Sequence, residues 1–351
     1  QAIRQTIDRI SELLETDCHE VRLNAGRSTR RPDGVLKAGP FVFVVEWKSV
    51  ATAASIGAVV RQIRRRAEEF RHGWQVDGEV IPLIVVPFMG DVGRERCAEY
   101  AVAWLDLSGN ARIVAPGLQI RIEGKPNRFK RPGRPSTAFA PRSSRIARWL
   151  LMHPDEPHTQ RQLARATDMD EGYTSRVVGK LLEEELIVRN DAGAVRPVDP
   201  SLLLDAWQEV YDFKKHRVLR GHVAARSGDA LLKHLATGLN QASVPYAATG
   251  LAAGWCLGRY AGFRTASVYL AEEPSPDLTA ALSFREVARG SNTWLVTPND
   301  EGVFHGATTS HDGIVCVHPV QAYLDLHAHP ERARDVAREL RSEHLQWRLD
   351  D

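Results

Sequence analysis

Residues 31–48, Arg-Pro-Asp-Gly-Val-Leu-Lys-Ala-Gly-Pro-Phe-Val-Phe-Val-Val-Glu-Trp-Lys, constrain the fold of this chain more than any other stretch. Lys37-Ala38-Gly39-Pro40 has the composition of a tight reversal, since Gly and Pro supply the backbone angles that one needs. Phe41 to Trp47 is aromatic and β-branched, which predicts a strand. A reversal centred between Gly39 and Pro40 places Asp33 across from Glu46. Strand side chains alternate faces, so Glu46 and Lys48 share one face while Val45 and Trp47 take the other. Two carboxylates and an ammonium thus meet at one spot on a sheet. One reading is a surface hairpin carrying a solvated ion pair. The other is chemical. Two carboxylates at close range repel unless a hard cation lies between them, and oxygen ligands suit Mg²⁺. Such an ion binds phosphate oxygens and lowers the pKa of a bound water. A neighbouring lysine orients that water or offsets the developing charge.

Pro32-Asp33 followed by Glu46-Trp47-Lys48 resembles the signature of the PD-(D/E)xK nuclease superfamily, and the resemblance covers residues 5–125. It implies a restriction-endonuclease-like α/β domain over residues 1–124. Asp33 and Glu46 would be metal ligands for Mg²⁺, with the Trp47 carbonyl as a third. Lys48 would be the catalytic lysine, and Gln62 would match the glutamine that such families carry on the following helix. A helical acid before the first strand is also implied, with Glu12, Glu15 and Glu20 as open candidates.

The rest of this region reads as alternating helix and strand. Ile3, Ile7, Ile10, Leu13 and Leu14 recur at helical spacing over residues 2–16. Residues 20–25 read as a first strand. A second helix spans 51–70, with Ile56, Val59, Val60, Ile63, Ala67 and Phe70 as its buried stripe. Arg61, Arg64, Arg65 and Arg66 surround its remaining surface, either as a solvated face paired with Glu68 and Glu69 or as a cradle for the DNA backbone. A central strand over 80–88, a helix over 95–107 and two strands over 111–115 and 119–123 complete an α/β order. His72 and His153 read as surface residues.

Residues 125–142 break the pattern. Lys125, Arg128, Lys130, Arg131, Arg134 and Arg142 stand among prolines with no acid, the composition of a linker. Lys130-Arg131-Pro132-Gly133-Arg134-Pro135 is similar to the AT-hook, which implies DNA contacts from Arg131 and Arg134. Pro132 occupies the place of the first core arginine, so the expectation is an extended basic arm across phosphates.

A second readable unit spans residues 143–200. Helices are expected over 145–152, over 160–166 with Thr159 as the cap, and over 171–186. Ile187–Arg189 and Ala194–Val198 then form a two-stranded wing. Three helices and a wing resemble winged helix-turn-helix domains of MarR-like regulators, and Ser175-Arg176-Val177-Val178-Gly179-Lys180-Leu181-Leu182 resembles their recognition helix. A recognition helix reads the major groove from its N-terminal part. The resemblance therefore puts Tyr173, Thr174, Ser175, Arg176 and Lys180 on double-stranded DNA, with Arg189 and Arg196 flanking the wing. A winged helix used only for protein contacts is the bland alternative.

Residues 201–351 form a C-terminal α+β region. An amphipathic helix is expected over 202–226, and further helices over 230–240 and 249–258. Strands are expected near 265–270 and 293–296, and helical segments over 316–326 and 330–347. Pro245-Tyr246-Ala247-Ala248-Thr249-Gly250-Leu251-Ala252-Ala253 and His318-Pro319-Val320-Gln321-Ala322-Tyr323-Leu324-Asp325-Leu326 resemble stretches of the AbiEi-type antitoxins. These pair a winged helix with such a C-terminal domain and act as autorepressing regulators of type IV toxin–antitoxin pairs. The outline is also similar to a nucleotidyltransferase fold, but no Gly-Ser followed by Asp-x-Asp supports transferase chemistry. Asp300, Glu301, His305, His311 and Asp312 read as solvated loop residues.

The 351 residues allow two or three domains. A net charge of +2 means that a nucleic-acid signal must come from local clustering. Cys18, Cys97, Cys256 and Cys316 lack zinc spacing and suit a reducing cytoplasm. No apolar run approaches the ~20 residues of a membrane span. No signal peptide is visible, and Gln1 suggests a start further upstream. The resulting expectation is a cytoplasmic, homodimeric, DNA-binding transcription regulator of antitoxin type with a nuclease-like domain and a possible partner toxin. The alternative is a Mg²⁺-dependent DNA endonuclease targeted by its winged helix.

Overall fold

The computed structural model describes residues 2–21, 32–49, 53–73, 77–129, 137–329 and 333–347. The chain divides into two compact units, residues 1–134 and 135–351. Arg131 and Arg134 lie outside the described residues, as does most of the strand expected over 20–25.

The first unit runs α1 (Ala2–Leu14), β1 (Cys18–Glu20), β2 (Gly34–Ala38), β3 (Phe41–Trp47), α2 (Ala53–Gly73), β4 (Glu79–Val86), α3 (Asp91–Glu99), β5 (Ala103–Asp106), β6 (Ala111–Ala115) and β7 (Leu118–Ile122). The seven strands form one sheet in sequence order. Strand β3 is antiparallel to β2 and parallel to β4. The sheet separates two cores according to side-chain parity. Val42 and Val44 pack with Ile56, Val60 and Ile63 of α2. Phe43 and Val45 pack with Ile10 of α1. The hairpin turns at Gly39, whose φ of 55° favours a residue without Cβ.

The helix expected over 95–107 is two elements. Residue Ala101 has a φ of 53°, which ends the helix. Ala103 to Asp106 then form a strand buried along its whole length. An all-buried strand lacks polar alternation, so its apolar run reads equally as a helix segment. The basic linker is also shorter than its composition suggests. The Asn110 side chain accepts from the Lys125 N–H at 2.8 Å and donates to the Lys125 carbonyl at 3.1 Å. The Ser108 hydroxyl accepts from the Arg128 N–H at 3.2 Å. At the far end Ala138 is buried and Phe139 stacks on Trp207.

The second unit begins with α4 (Ser144–Met152), α5 (Gln160–Ala166), α6 (Glu171–Glu183), β8 (Ile187–Arg189) and β9 (Val195–Pro197). Thr159 caps α5 in a capping box with Gln162, as its sequence position predicts. Next come α7 (Pro200–Val210), β10 (Arg217–His222), α8 (Gly228–Gln241), β11 (Tyr246–Thr249), α9 (Gly250–Gly258), β12 (Ala266–Leu270) and α10 (Pro276–Ala281). The remainder comprises β13 (Arg285–Glu286), β14 (Thr293–Thr297), β15 (Thr308–Thr309), β16 (Val315–Cys316), α11 (Pro319–Leu326) and α12 (Ala333–His344). A seven-stranded mixed sheet has the order β13-β10-β14-β12-β11-β16-β15. The helix expected over 202–226 stops at Val210, and residues 217–221 pair with β14 instead. The helical stretch expected from Cys316 starts at Pro319, because Cys316 pairs with Ala248 in the sheet.

Candidate nucleic-acid interface

Helix α6 is built to present its N-terminal half. The Asp170 carboxylate caps it by accepting the Tyr173 N–H at 2.7 Å, and Val177, Val178 and Leu181 anchor its inner face. Ser175 and Arg176 are exposed. Tyr173 is half-buried and its hydroxyl meets that of Ser143 at 2.6 Å. The guanidiniums of Arg142 and Arg176 lie over its ring, 5.9 and 5.4 Å from the centroid. The aromatic ring thus orders two cations at the start of α6. Lys180 is half-buried and paired with Glu183 at 3.2 Å and Glu184 at 3.8 Å.

Thr174 differs from its expected place on DNA. It is fully buried and its hydroxyl donates to the Asp170 carbonyl at 2.9 Å. Four residues separate the two, so this is a bond within one helical turn, and it points inward. On the wing, Val188 pairs with Arg196 and Arg189 pairs with Val195. Paired residues share a face, so Arg189 and Arg196 project from opposite faces, and both are exposed.

Two arginines on α4 tie the helices to the C-terminal sheet region. Arg145 Nε and Nη2 donate to the two oxygens of Asp300, each at 2.8 Å, and Nη2 reaches Glu301 at 3.1 Å. Asp300 is therefore a docking group, not a solvated loop residue. Arg148 Nε donates to the Gly302 carbonyl at 2.8 Å and Nη2 to Gln321 Oε1 at 2.6 Å. Its guanidinium lies 5.0 Å from the Trp207 ring centroid. Burial holds the Arg148 pKa below its ordinary value.

Gln321 and Asp325 give the His-Pro-Val-Gln-Ala-Tyr-Leu-Asp-Leu phrase a physical meaning. They stand one turn apart on α11 and are fully buried. The Gln321 amide donates to Asp325 Oδ1 at 2.8 Å and to the Tyr211 hydroxyl at 2.9 Å. The hydroxyls of Tyr211 and Thr249 donate to the Asp325 carboxylate. His216 Nδ1 accepts from the Asn299 N–H at 3.1 Å, and its Nε2 meets Tyr211 at 2.9 Å. Burial raises the Asp325 pKa and lowers that of His216. Composition offered no signal for this network, since its members come from five separate segments. His153, expected at the surface, is half-buried with its ring 4.3 Å from that of Trp149.

In the first unit the hairpin register pairs Gly34 with Val45, which sets Asp33 opposite Glu46 as expected. The exposed Asp33 accepts the Trp47 N–H on Oδ2 at 2.8 Å. Glu46 is buried on the α2 face, with Lys48 Nζ 3.1 Å from Oε1. Arg66 is paired with Oε2. Sequence placed Arg66 on the outer surface of α2, but its side chain is only 11% exposed. Its spacing of four from Gln62, which is half-buried, is the signal that puts both on one helix face.

This donor set does not fit Mg²⁺ as arranged. Both oxygens of Glu46 are engaged by cations, and an adjacent Mg²⁺ would be repelled by both. Glu12 is paired with Arg9, and Glu20 faces the opposite side of the sheet through its pairing with Leu36. No group of three or more His, Cys, Asp or Glu side chains among the described residues could hold a metal. No described helix is long and apolar enough to cross a membrane.

The second unit therefore carries a winged helix-turn-helix joined to a mixed α/β region. Residues 139–196 match the family model of the MarR family. Residues 196–346 match a model described as transcriptional regulator, AbiEi antitoxin, type IV TA system. No curated protein and no solved structure matches the chain.

Proposed function

We infer that this protein is a sequence-specific DNA-binding transcription regulator of antitoxin type, acting in the cytoplasm as a homodimer with a toxin as its counterpart. The observation that carries the reading is the continuous pair of family matches over a winged helix whose exposed Ser175 and Arg176 start the reading helix. Arg176 supplies a bidentate donor for a guanine edge, and Ser175 a phosphate contact. Arg142, Arg189 and Arg196 add exposed charge around it. Arg145 and Arg148 fix the reading head on the C-terminal region, so a partner bound there would shift DNA affinity through those contacts. The test is a gel-shift titration with duplex from the protein's own upstream region, in EDTA. A specific shifted band, weakened about tenfold or more by Arg176→Ala, is expected. Equal affinity for unrelated duplex would overturn sequence-specific regulation.

The second reading is a Mg²⁺-dependent endonuclease with Asp33, Glu46, Lys48 and Gln62 as its site. The placement of Asp33 opposite Glu46 beside Lys48 favours it. It requires Arg66 to leave Glu46. Fragments that appear only with Mg²⁺ or Mn²⁺ and vanish in Lys48→Ala would establish it. Uncut duplex in every lane would leave Asp33, Glu46 and Lys48 as structural groups.

A further inference from the structure

Helix α4 carries a buried cation whose contacts are incomplete. Arg148 is 3% exposed. Its Nε and Nη2 donate to the Gly302 carbonyl and to Gln321 Oε1, both neutral acceptors. Its Nη1 is buried and has no hydrogen-bond partner among the described residues. A guanidinium N–H without a partner inside a protein costs free energy, and its charge costs more when no anion touches it. The nearby acids are committed elsewhere. Asp300 holds Arg145 on both oxygens, and Asp325 accepts from Tyr211, Thr249 and Gln321. Arg148 lines a cleft of about 30 Å³ with apolar and aromatic walls from Phe139, Trp207 and Val210. Asp212 and Lys215 also line it, both exposed and opposite in charge, and burial keeps the lining His216 towards its neutral form. The net charge of the cleft is therefore that of Arg148.

We propose that this cleft is a small-anion site, which takes a halide-sized ion or the carboxylate head of a small organic acid on Arg148 Nη1. Size sets the upper limit. The volume is about the share of one water molecule in the liquid, which leaves no room for a nucleotide. Charge sets the sign. An anion on Nη1 makes a charge-assisted hydrogen bond and neutralises a cation that otherwise faces only neutral acceptors. The walls set the strength, because an ion held against Phe139 and Trp207 is poorly screened by water. The site also has a structural consequence. Arg148 joins α4 to the Gly302 carbonyl and to Gln321 of α11, so an anion that compensates its charge tightens the seating of the winged helix on the C-terminal region. The proposal does not depend on DNA binding.

The experiment melts the full-length protein while sodium isethionate, whose sulfonate is too bulky for the cleft, is exchanged for sodium bromide or sodium formate at fixed ionic strength. A saturable rise in melting temperature is expected, about 3 °C at roughly tenfold above the Kd. Amide hydrogen exchange over Ser144–Met152 should slow in parallel. A response to bromide alone assigns the site to a halide, and a response to formate alone assigns it to a carboxylate. Crystallography then locates the stabilising ion, bromide by its anomalous signal and formate by its density, and contact with Arg148 Nη1 is expected. In Arg148→Gln the saturable rise should vanish. No saturable response to either salt, or an ion that lies away from Arg148, would overturn the proposal. The melting and crystallographic measurements on the wild-type protein decide the matter even if Arg148→Gln fails to fold.

Discussion

At the scale of single residues, buried polar groups separate structural positions from those proposed to face DNA. His329 stacks on Trp294 with ring centroids 4.8 Å apart, and neither ring nitrogen has a partner among the described residues. Burial lowers its pKa from 6.5 to about 4. The folded value lies below the unfolded one, so between them the unfolded chain binds more protons. Its contribution is intact above pH 6.5 and is lost as pH falls towards 4, by up to about 3 kcal/mol. His318 shifts in the same direction for the same cause. Replacing His329 with Phe should flatten the fall in melting temperature between pH 6.5 and 4, and an unchanged pH profile would contradict this assignment. Gly250 has a φ of 57°, and an added Cβ would lie 2.3 Å from His329 Nε2. Gly250→Ala should therefore destabilise the protein by more than ~1 kcal/mol, measurable as a lowered urea midpoint. Thr174 and Arg176 are two residues apart but opposite in role. Thr174→Val removes a buried hydroxyl and should lower stability by about 1 kcal/mol while leaving DNA affinity within a few-fold. Arg176→Ala should do the reverse, which paired melting and gel-shift titrations distinguish.

At the scale of elements, the dependable signals were local. The turn at Gly39 and Pro40, the strand Phe41–Trp47 and the capped helix Gln160–Ala166 all form over the expected residues, because each is set by short-range chemistry. The misread elements are those whose state depends on a partner strand. Ala103–Asp106 and Arg217–His222 are strands because β4 and β14 lie beside them. Helix α4 shows the same dependence energetically. Arg148 is buried against the Gly302 carbonyl and Gln321, so truncation strands those acceptors and empties the space over Trp207. Arg148→Ala should cost about 3 kcal/mol or more, in the range for breaking a buried charged network. A melting temperature within a degree or two of wild type would show that the network does not hold the winged helix in place.

At the scale of the whole molecule, the division at residues 134 and 135 gives each unit its own sheet and its own core. Residues 137–351 produced alone should melt cooperatively and bind the same upstream duplex within about tenfold of the full chain, with a smaller salt dependence if the basic arm contributes phosphate contacts. Loss of specific binding in that fragment would move recognition into the first unit. A mass near twice 39.1 kDa by light scattering would support the dimer.

The sequence alone determined what short-range chemistry controls. Parity along Phe41–Trp47 put Glu46 and Lys48 on one face, turn composition set Asp33 opposite Glu46, and Thr159 marked the start of the helix over 160–166. Tertiary structure alone decided which partner each polar group meets. Arg66 turns onto Glu46, Arg145 onto Asp300, and Gln321 with Asp325 onto Arg148, Tyr211 and Thr249. Those pairings join residues distant in sequence, and they form because burying a polar group without a partner costs more free energy than ordering the chain to supply one.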